Sequence, residues 1–238
     1  MDNECVKEFL EELVTTTEVH PGKALIAHGL EGWIPTDCPD ENGRMKWAWK
    51  KQDVKPESKF HIKMVHHYKG VTPDELFDCL TSTTRVEWDA QDIFEIIEED
   101  KENLAHIIHQ TFKKPPTHDQ QGRELKGDLK QRDLVYKFFA RKNFLWSEEH
   151  GNVHVFASKS LTHEKVPESA EYLRASRDLA GNYIEALPDG SGSRLTRIVI
   201  CDLKGKIPPM MVHRAAKNLP VTIYETLNTF CQKKYVNK

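Results

Sequence analysis

The chain has 238 residues, 38% of them hydrophobic and 30% charged, which excludes a disordered polymer and is long enough to bury a sizeable core. Its net charge of −3 argues against a nucleic-acid binder, which normally carries a strongly basic face. No apolar run approaches the ~20 residues that span a bilayer, so any membrane contact is expected to be peripheral.

In chain order, DNECVKEFLEELVTT sets Val6, Phe9, Leu10, Leu13 and Val14 at helical spacing with an acidic outer face. The Gly-, Pro- and Asp-rich HPGKALIAHGLEGWIPTDCPDENG predicts a short strand among turns. RMKWAWKKQD and KFHIKMVHHYKG alternate; in the second, Phe60, Ile62 and Met64 oppose His61, Lys63 and Val65, as in a half-buried strand. TPDELFDCLTS signals a short helix, with Thr72 as N-cap, Pro73 at the first helical position and Glu75 at the third. Strand-like runs follow from DIFEIIEE to SRLTRIVICDL, and GSGS at 190–193 reads as the hairpin turn before the last of them. Residues 208–234 predict a long amphipathic helix, with Pro220 as a candidate interruption and hinge.

This order lacks βαβ alternation, so a parallel doubly wound sheet is disfavoured. Consecutive strands favour one curved antiparallel sheet wrapped around the long C-terminal helix, an α+β architecture over residues 1–238 as a single domain. The segment 113–131, KKPPTHDQQGRELKGDLKQ, is long for a connection inside a compact domain, and such loops are often functional.

Charge and chemistry narrow the function further. From residue 204 onward, Lys204, Lys206, Arg214, Lys217, Lys233, Lys234 and Lys238 stand against Glu225 alone, a basic end suited to an anionic surface. The cysteines are scattered and odd in number, and the acidic N-terminus has no signal-peptide pattern, so a reducing, cytoplasmic setting is expected. The histidines show no metal-binding spacing, and no phosphate-cradling loop or G-x-S-x-G appears. No cofactor, metal or catalytic residue is expected.

Three stretches in order resemble the START (steroidogenic acute regulatory protein-related lipid transfer) domain: PDELFDCLTSTTRVEWDAQ, QRDLVYKFFARK and SRLTRIVICDLKGKIPPMMVHRAAKNLP. The resemblance implies a helix-grip fold enclosing an apolar tunnel that binds one lipid, with no nucleic-acid partner, as a monomer in transient contact with a membrane. It places the tunnel mouth at the loop 113–131 and the turn 204–209. Tyr136 and Phe138 fall on the matching strand. Along the last helix, Met211, Val212, Ala215, Ala216, Leu219 and Ile223 follow helical spacing, and the two alanines leave room for an acyl chain or ring. Lys204, Lys206 and Met210 are expected to meet the membrane.

The lipid is less legible. Arg85 matches a position that contacts phosphate in phosphatidylcholine-binding relatives; its alternative is a structural ion pair with Asp89. Phe138 stands where many members carry an Arg inside the cavity. AAKN in the last helix resembles the phosphatidylcholine-transfer branch, which favours a glycerophospholipid, with a sterol as competitor and a lipid sensor without transfer activity as a further reading. Arg177 and Asp178 are adjacent, so on a strand only one of them points inward.

Overall fold

The computed structural model describes residues 2–17, 33–35, 45–51, 54–82, 87, 89, 91–102, 104–115, 117–118, 122–124, 127, 129–147 and 151–237. Helix α1 (Asp2–Thr17) precedes β1 (Trp33–Pro35), β2 (Met45–Lys51), β3 (Lys59–Lys69) and helix α2 (Pro73–Thr81). Then come β4 (Gln91–Asp100), β5 (Ala105–Phe112), β6 (Arg132–Ser147), β7 (Gly151–Ser160), β8 (Leu173–Arg174), β9 (Ser176–Ala186) and β10 (Gly192–Asp202). Helix α3 (Pro209–Cys231) follows and runs into a π-helical turn, Gln232–Val236.

The strands form one sheet in the order β1-β2-β3-β10-β9-β7-β6-β5-β4, with β8 added parallel to β6. The remaining pairings are antiparallel. The last strand in sequence, β10, sits in mid-sheet between β3 and β9 and joins the two halves of the chain. Its turn with β9 spans the GSGS expected from sequence.

Alternation along each strand sorts side chains onto two faces. On the inner face, Phe60, Ile62, Met64, Ala180 and Val199 pack with Val212, Ala216 and Ile223 of α3. Further along, Tyr136, Phe138, Phe156, Ile184 and Leu195 pack with Tyr224 and Leu227 of α3 and with Leu76, Phe77 and Leu80 of α2. On the outer face, Phe139, Val155, Ala157, Leu179 and Ile198 pack with Cys5, Val6 and Phe9 of α1. Burying each large apolar side chain contributes about 1.5–3 kcal/mol, so both helices are held mainly by these stripes.

Local signals explain the helix ends. Thr72 Oγ1 accepts the Glu75 backbone N–H at 3.3 Å, and Glu75 Oε2 accepts the Thr72 N–H at 2.9 Å, the reciprocal cap predicted for α2. Pro209 opens α3, where its missing N–H costs nothing. Pro220, expected to interrupt this helix, does not: α3 is continuous and Pro220 is buried within it. Apolar packing of Ala216, Ile223 and Leu227 on either side outweighs the lost hydrogen bond, a penalty of about 3 kcal/mol in an unsupported helix. The α-helix ends at Cys231, slightly short of the predicted boundary.

The sequence pattern predicts a half-buried β3, yet Lys63 and Val65 on its outer side are only 2% and 8% exposed. The outer face carries a second layer, and Lys63 lies close enough to feel the charge of Glu12 on α1. Burial pushes the Lys63 ammonium down to about 7, despite Glu12, and its Nζ has no hydrogen-bond partner. The folded protein therefore releases this proton near pH 7, whereas a free lysine holds it to about 10.5. Between those values the unfolded chain binds more protons, so stability rises with pH across that window. Below it the penalty is complete.

Two predictions follow from the outer layer. Lys63→Met should raise the urea midpoint at pH 7 and flatten the rise toward pH 10; a midpoint that falls would show that the amine has a stabilising partner. At Gly181, a Cβ would lie 2.2 Å from the Phe9 ring. Gly181→Ala should displace α1 and cost about 1–3 kcal/mol, read as a lower midpoint and faster proteolysis within residues 2–17.

Candidate functional site

A cavity of about 310 Å³ opens between the first half of α3 and the inner face of the sheet. Met211, Val212, Ala215 and Leu219 of α3 form one wall. Phe60 of β3, Phe112 at the end of β5 and Arg132 at the start of β6 form the opposite one. Lys113, Pro115 and Leu129 from the loop between β5 and β6, with Leu203 and Ile207 from the turn before α3, complete the rim. All but Leu203, which adjoins the second, lie in the two segments, 113–131 and 204–209, where the family resemblance implies a tunnel mouth. The surface is mostly hydrocarbon, so it holds an apolar guest by exclusion of water, not by directed polar contacts.

Two buried charges shape this rim. Arg132, 4% exposed, donates through Nε to the carbonyl of Leu203 at 3.2 Å and through Nη2 to that of Lys204 at 3.3 Å. Its Nη1 reaches the carbonyl of Lys130, so one guanidinium joins the loop before β6 to the turn before α3. Asp202, 4% exposed, accepts the Ser58 hydroxyl at 2.6 Å and the Lys204 backbone N–H at 2.9 Å through Oδ1. Its Oδ2 pairs with the Lys204 ammonium at 2.8 Å. Burial opposes ionisation of Asp202, but Lys204 and Ser58 together hold its carboxyl below the usual value. That pairing supports Lys204 in the left-handed region, φ 55°, where a side chain is strained; Gly205 follows at φ 73°. The D-x-x-G spacing of the sequence is thus the chemistry of this turn.

The expected site residues fall in three places. Met211, Val212, Ala215 and Leu219 line the cavity, while Ala216 and Ile223 lie beside them in the core. Tyr136 and Phe138 are deeper on the inner face: the Tyr136 hydroxyl donates to Gln110 Oε1 at 2.9 Å, and the Phe138 ring lies 5.2 Å from Phe156. Lys204, Lys206 and Met210 are at the rim, where Met210 is 76% exposed and Lys206 is exposed. Arg85 lies outside the described residues; Asp89 is half-buried. His106 and His109 point to opposite faces, as a strand requires. His106 stacks on Phe138, and His109 contacts Asp133 at 3.2 Å, which also takes both Nε and Nη2 of Arg174. Among the described residues no group of three or more His, Cys, Asp or Glu is placed to hold a metal ion.

The structure decides between Arg177 and Asp178. A register shift opposite Ile200 and Cys201 turns Arg177 to the inner face, opposite Cys201. Its guanidinium lies 4.0 Å from the centre of the Tyr136 ring, and Nη1 donates to Ser158 Oγ at 3.1 Å. Asp178 turns away and pairs with Lys59. Phe138 therefore removes one cation from the inner wall while Arg177 supplies another from β9. Alternation narrows this choice to two residues; only the bulge selects one.

The family model for the START domain matches residues 32–235. The human StAR-related lipid transfer protein 5 superposes with a TM-score of 0.70 at 17% identity, covering 98% of this chain and 95% of that one. Human STARD10 superposes with a TM-score of 0.70 at 18% identity, covering 98% and 81%. The lipid transfer and protein localization domain of human StarD13 gives 0.62 at 18% identity, covering 94% and 96%. No curated protein matches the chain by sequence. The antiparallel sheet gripping a long C-terminal helix is the helix-grip fold, and with the family match the chain belongs to the START domain family.

Proposed function

We propose that residues 1–238 act as one unit that carries a single glycerophospholipid between membranes, as a monomer without catalysis. Binding of lipid as such follows from the family. The observation that carries the finer reading is the apolar cavity at the end of α3, with the Arg177 guanidinium on the wall beyond it. Each CH₂ buried there contributes about 0.8 kcal/mol, enough to lift a long chain out of water with few polar contacts. A guanidinium fork suits the phosphate that joins such chains to a head group. By resemblance, Arg85 and Asp89 contribute to the same end of the ligand.

Exchange needs a membrane face. Met210 and Lys206 project from the rim, and the basic end of the chain supplies attraction of about 1 kcal/mol per basic residue near an anionic surface. Cys79 and Cys231 are buried free thiols, with Cys231 Sγ donating to Cys79 Sγ at 3.4 Å, a pair suited to a reducing compartment. A sterol is the second reading, favoured by Phe60 and Phe112 on the cavity wall, whose flat faces suit a ring system.

Native mass spectrometry of the purified chain should show one lipid, and vesicle assays should show its transfer; an empty protein that moves neither phospholipid nor sterol would falsify the proposal. Binding without exchange would identify a sensor instead. Filling the cavity with Ala215→Phe should lower lipid occupancy roughly tenfold while the melting temperature stays within a few degrees, because Ala215 faces the cavity and not the packed core.

A further inference from the structure

Three strands bring polar side chains together on the inner face. Asn182 of β9 stands in register with Arg197 of β10 and with Phe156 of β7. His66 of β3 is in register with Leu195, two residues along β10 from Arg197. All three face α3. Phe156 and Leu195 pack in the cluster that holds Tyr224 and Leu227, and the His66 ring centre lies 5.3 Å from that of Tyr224. The neighbour of Asn182, Gly181, meets Phe9 of α1 on the opposite face.

Asn182 and His66 are both 0% exposed. Neither the Oδ1 nor the Nδ2 of Asn182 has a hydrogen-bond partner, and neither does the Nε2 of His66. Swapping the two ends of the carboxamide changes nothing, since both are unpartnered. Buried polar groups in folded proteins are almost always paired, because desolvation without a partner is costly. Asp202 and Asp133 follow this rule, whereas both polar atoms of the Asn182 carboxamide break it on the face that meets α3. Burial, and then the charge of Arg197, press His66 down to about 3, so it is neutral in the cell.

From this we infer that Asn182, His66 and Arg197 form the socket for the polar end of the ligand, and that this end carries a hydrogen-bond donor as well as acceptors. The inference rests on the lipid-carrier reading and narrows it. Arg197 only donates, so it takes an acceptor oxygen such as that of a phosphate or hydroxyl. Asn182 offers one acceptor and two donors. A phosphate alone leaves its Oδ1 unpaired, and a trimethylammonium head group has no N–H to offer it. An ammonium or hydroxyl head group satisfies both ends of the carboxamide. Ethanolamine and polyol phospholipids have this chemistry, and so does the hydroxyl of a sterol.

The test uses the full chain and vesicles containing dioleoyl phosphatidylethanolamine, dioleoyl phosphatidylcholine or cholesterol, with lipid uptake measured directly. Phosphatidylethanolamine should exceed phosphatidylcholine by roughly tenfold or more, because a site built for a donor rejects an analogue that lacks it. Asn182→Leu should erase that preference and, by removing an unpaired amide, raise the melting temperature of the lipid-free protein. Equal uptake of the two phospholipids, a preference that survives the substitution, or a variant that melts lower overturns the socket, whose amide is then bonded to water or to the fold. Uptake of cholesterol alone, lost in Asn182→Leu, upholds the socket and overturns the glycerophospholipid reading. No uptake of any of the three by the unaltered chain overturns the carrier reading itself.

Discussion

The packing of α3 against the inner face of the sheet is the contact on which the rest of the structure depends. Phe60, Ile62, Met64, Tyr136, Phe138 and Phe156 point into one space, and without a helix across it they would face water. The helix answers with Val212, Ala216, Ile223, Tyr224 and Leu227 along one stripe. That stripe is graded. Its second half, with Tyr224 and Leu227, fills the space between the sheet and α2. Its first half, with the small Ala215, leaves the cavity. One helix therefore closes the core and opens the site, and side-chain volume alone separates the two tasks.

The rim depends on ions that are buried and fully occupied. Arg132 spends its guanidinium on three backbone carbonyls, and Asp202 accepts from Ser58 and Lys204. Neither is free to bind a guest, so both position the mouth and do not recognise what enters it. The inner wall is the reverse case. The Asn182 carboxamide and the Nε2 of His66 are as deeply buried but have no hydrogen-bond partner. Burial is the same in the two places; satisfaction of hydrogen bonds is what distinguishes a strut from a binding group.

Much of this was legible before any coordinates. Strand alternation and the Thr72–Glu75 cap identified elements that the structure contains, because they arise from contacts within a few residues of each other. The helical spacing from Met211 to Ile223 marked one stripe of α3, of which Met211, Val212, Ala215 and Leu219 border the cavity while Ala216 and Ile223 pack in the core. Pro220 misled, since the penalty of an internal proline is local while the packing that overcomes it comes from the sheet. Lys63 misled in the opposite direction: alternation marks it as solvent-facing, and only the second layer on the outer face buries it.

The amino-acid sequence by itself determined the order of elements, the apolar stripe of the last helix, the glycine and proline turn before it and the family to which the chain belongs. These are set by periodicity, turn chemistry and short motifs, all of which are local. Only the tertiary structure decided that Arg177 and not Asp178 faces inward, because a bulge against β10 shifts the register between them. It alone fixed the hairpin register that sets Asn182 opposite Arg197 and brought His66 near them from β3, a strand distant in sequence. Which polar groups are left without partners is a property of that convergence, and no spacing along the chain encodes it.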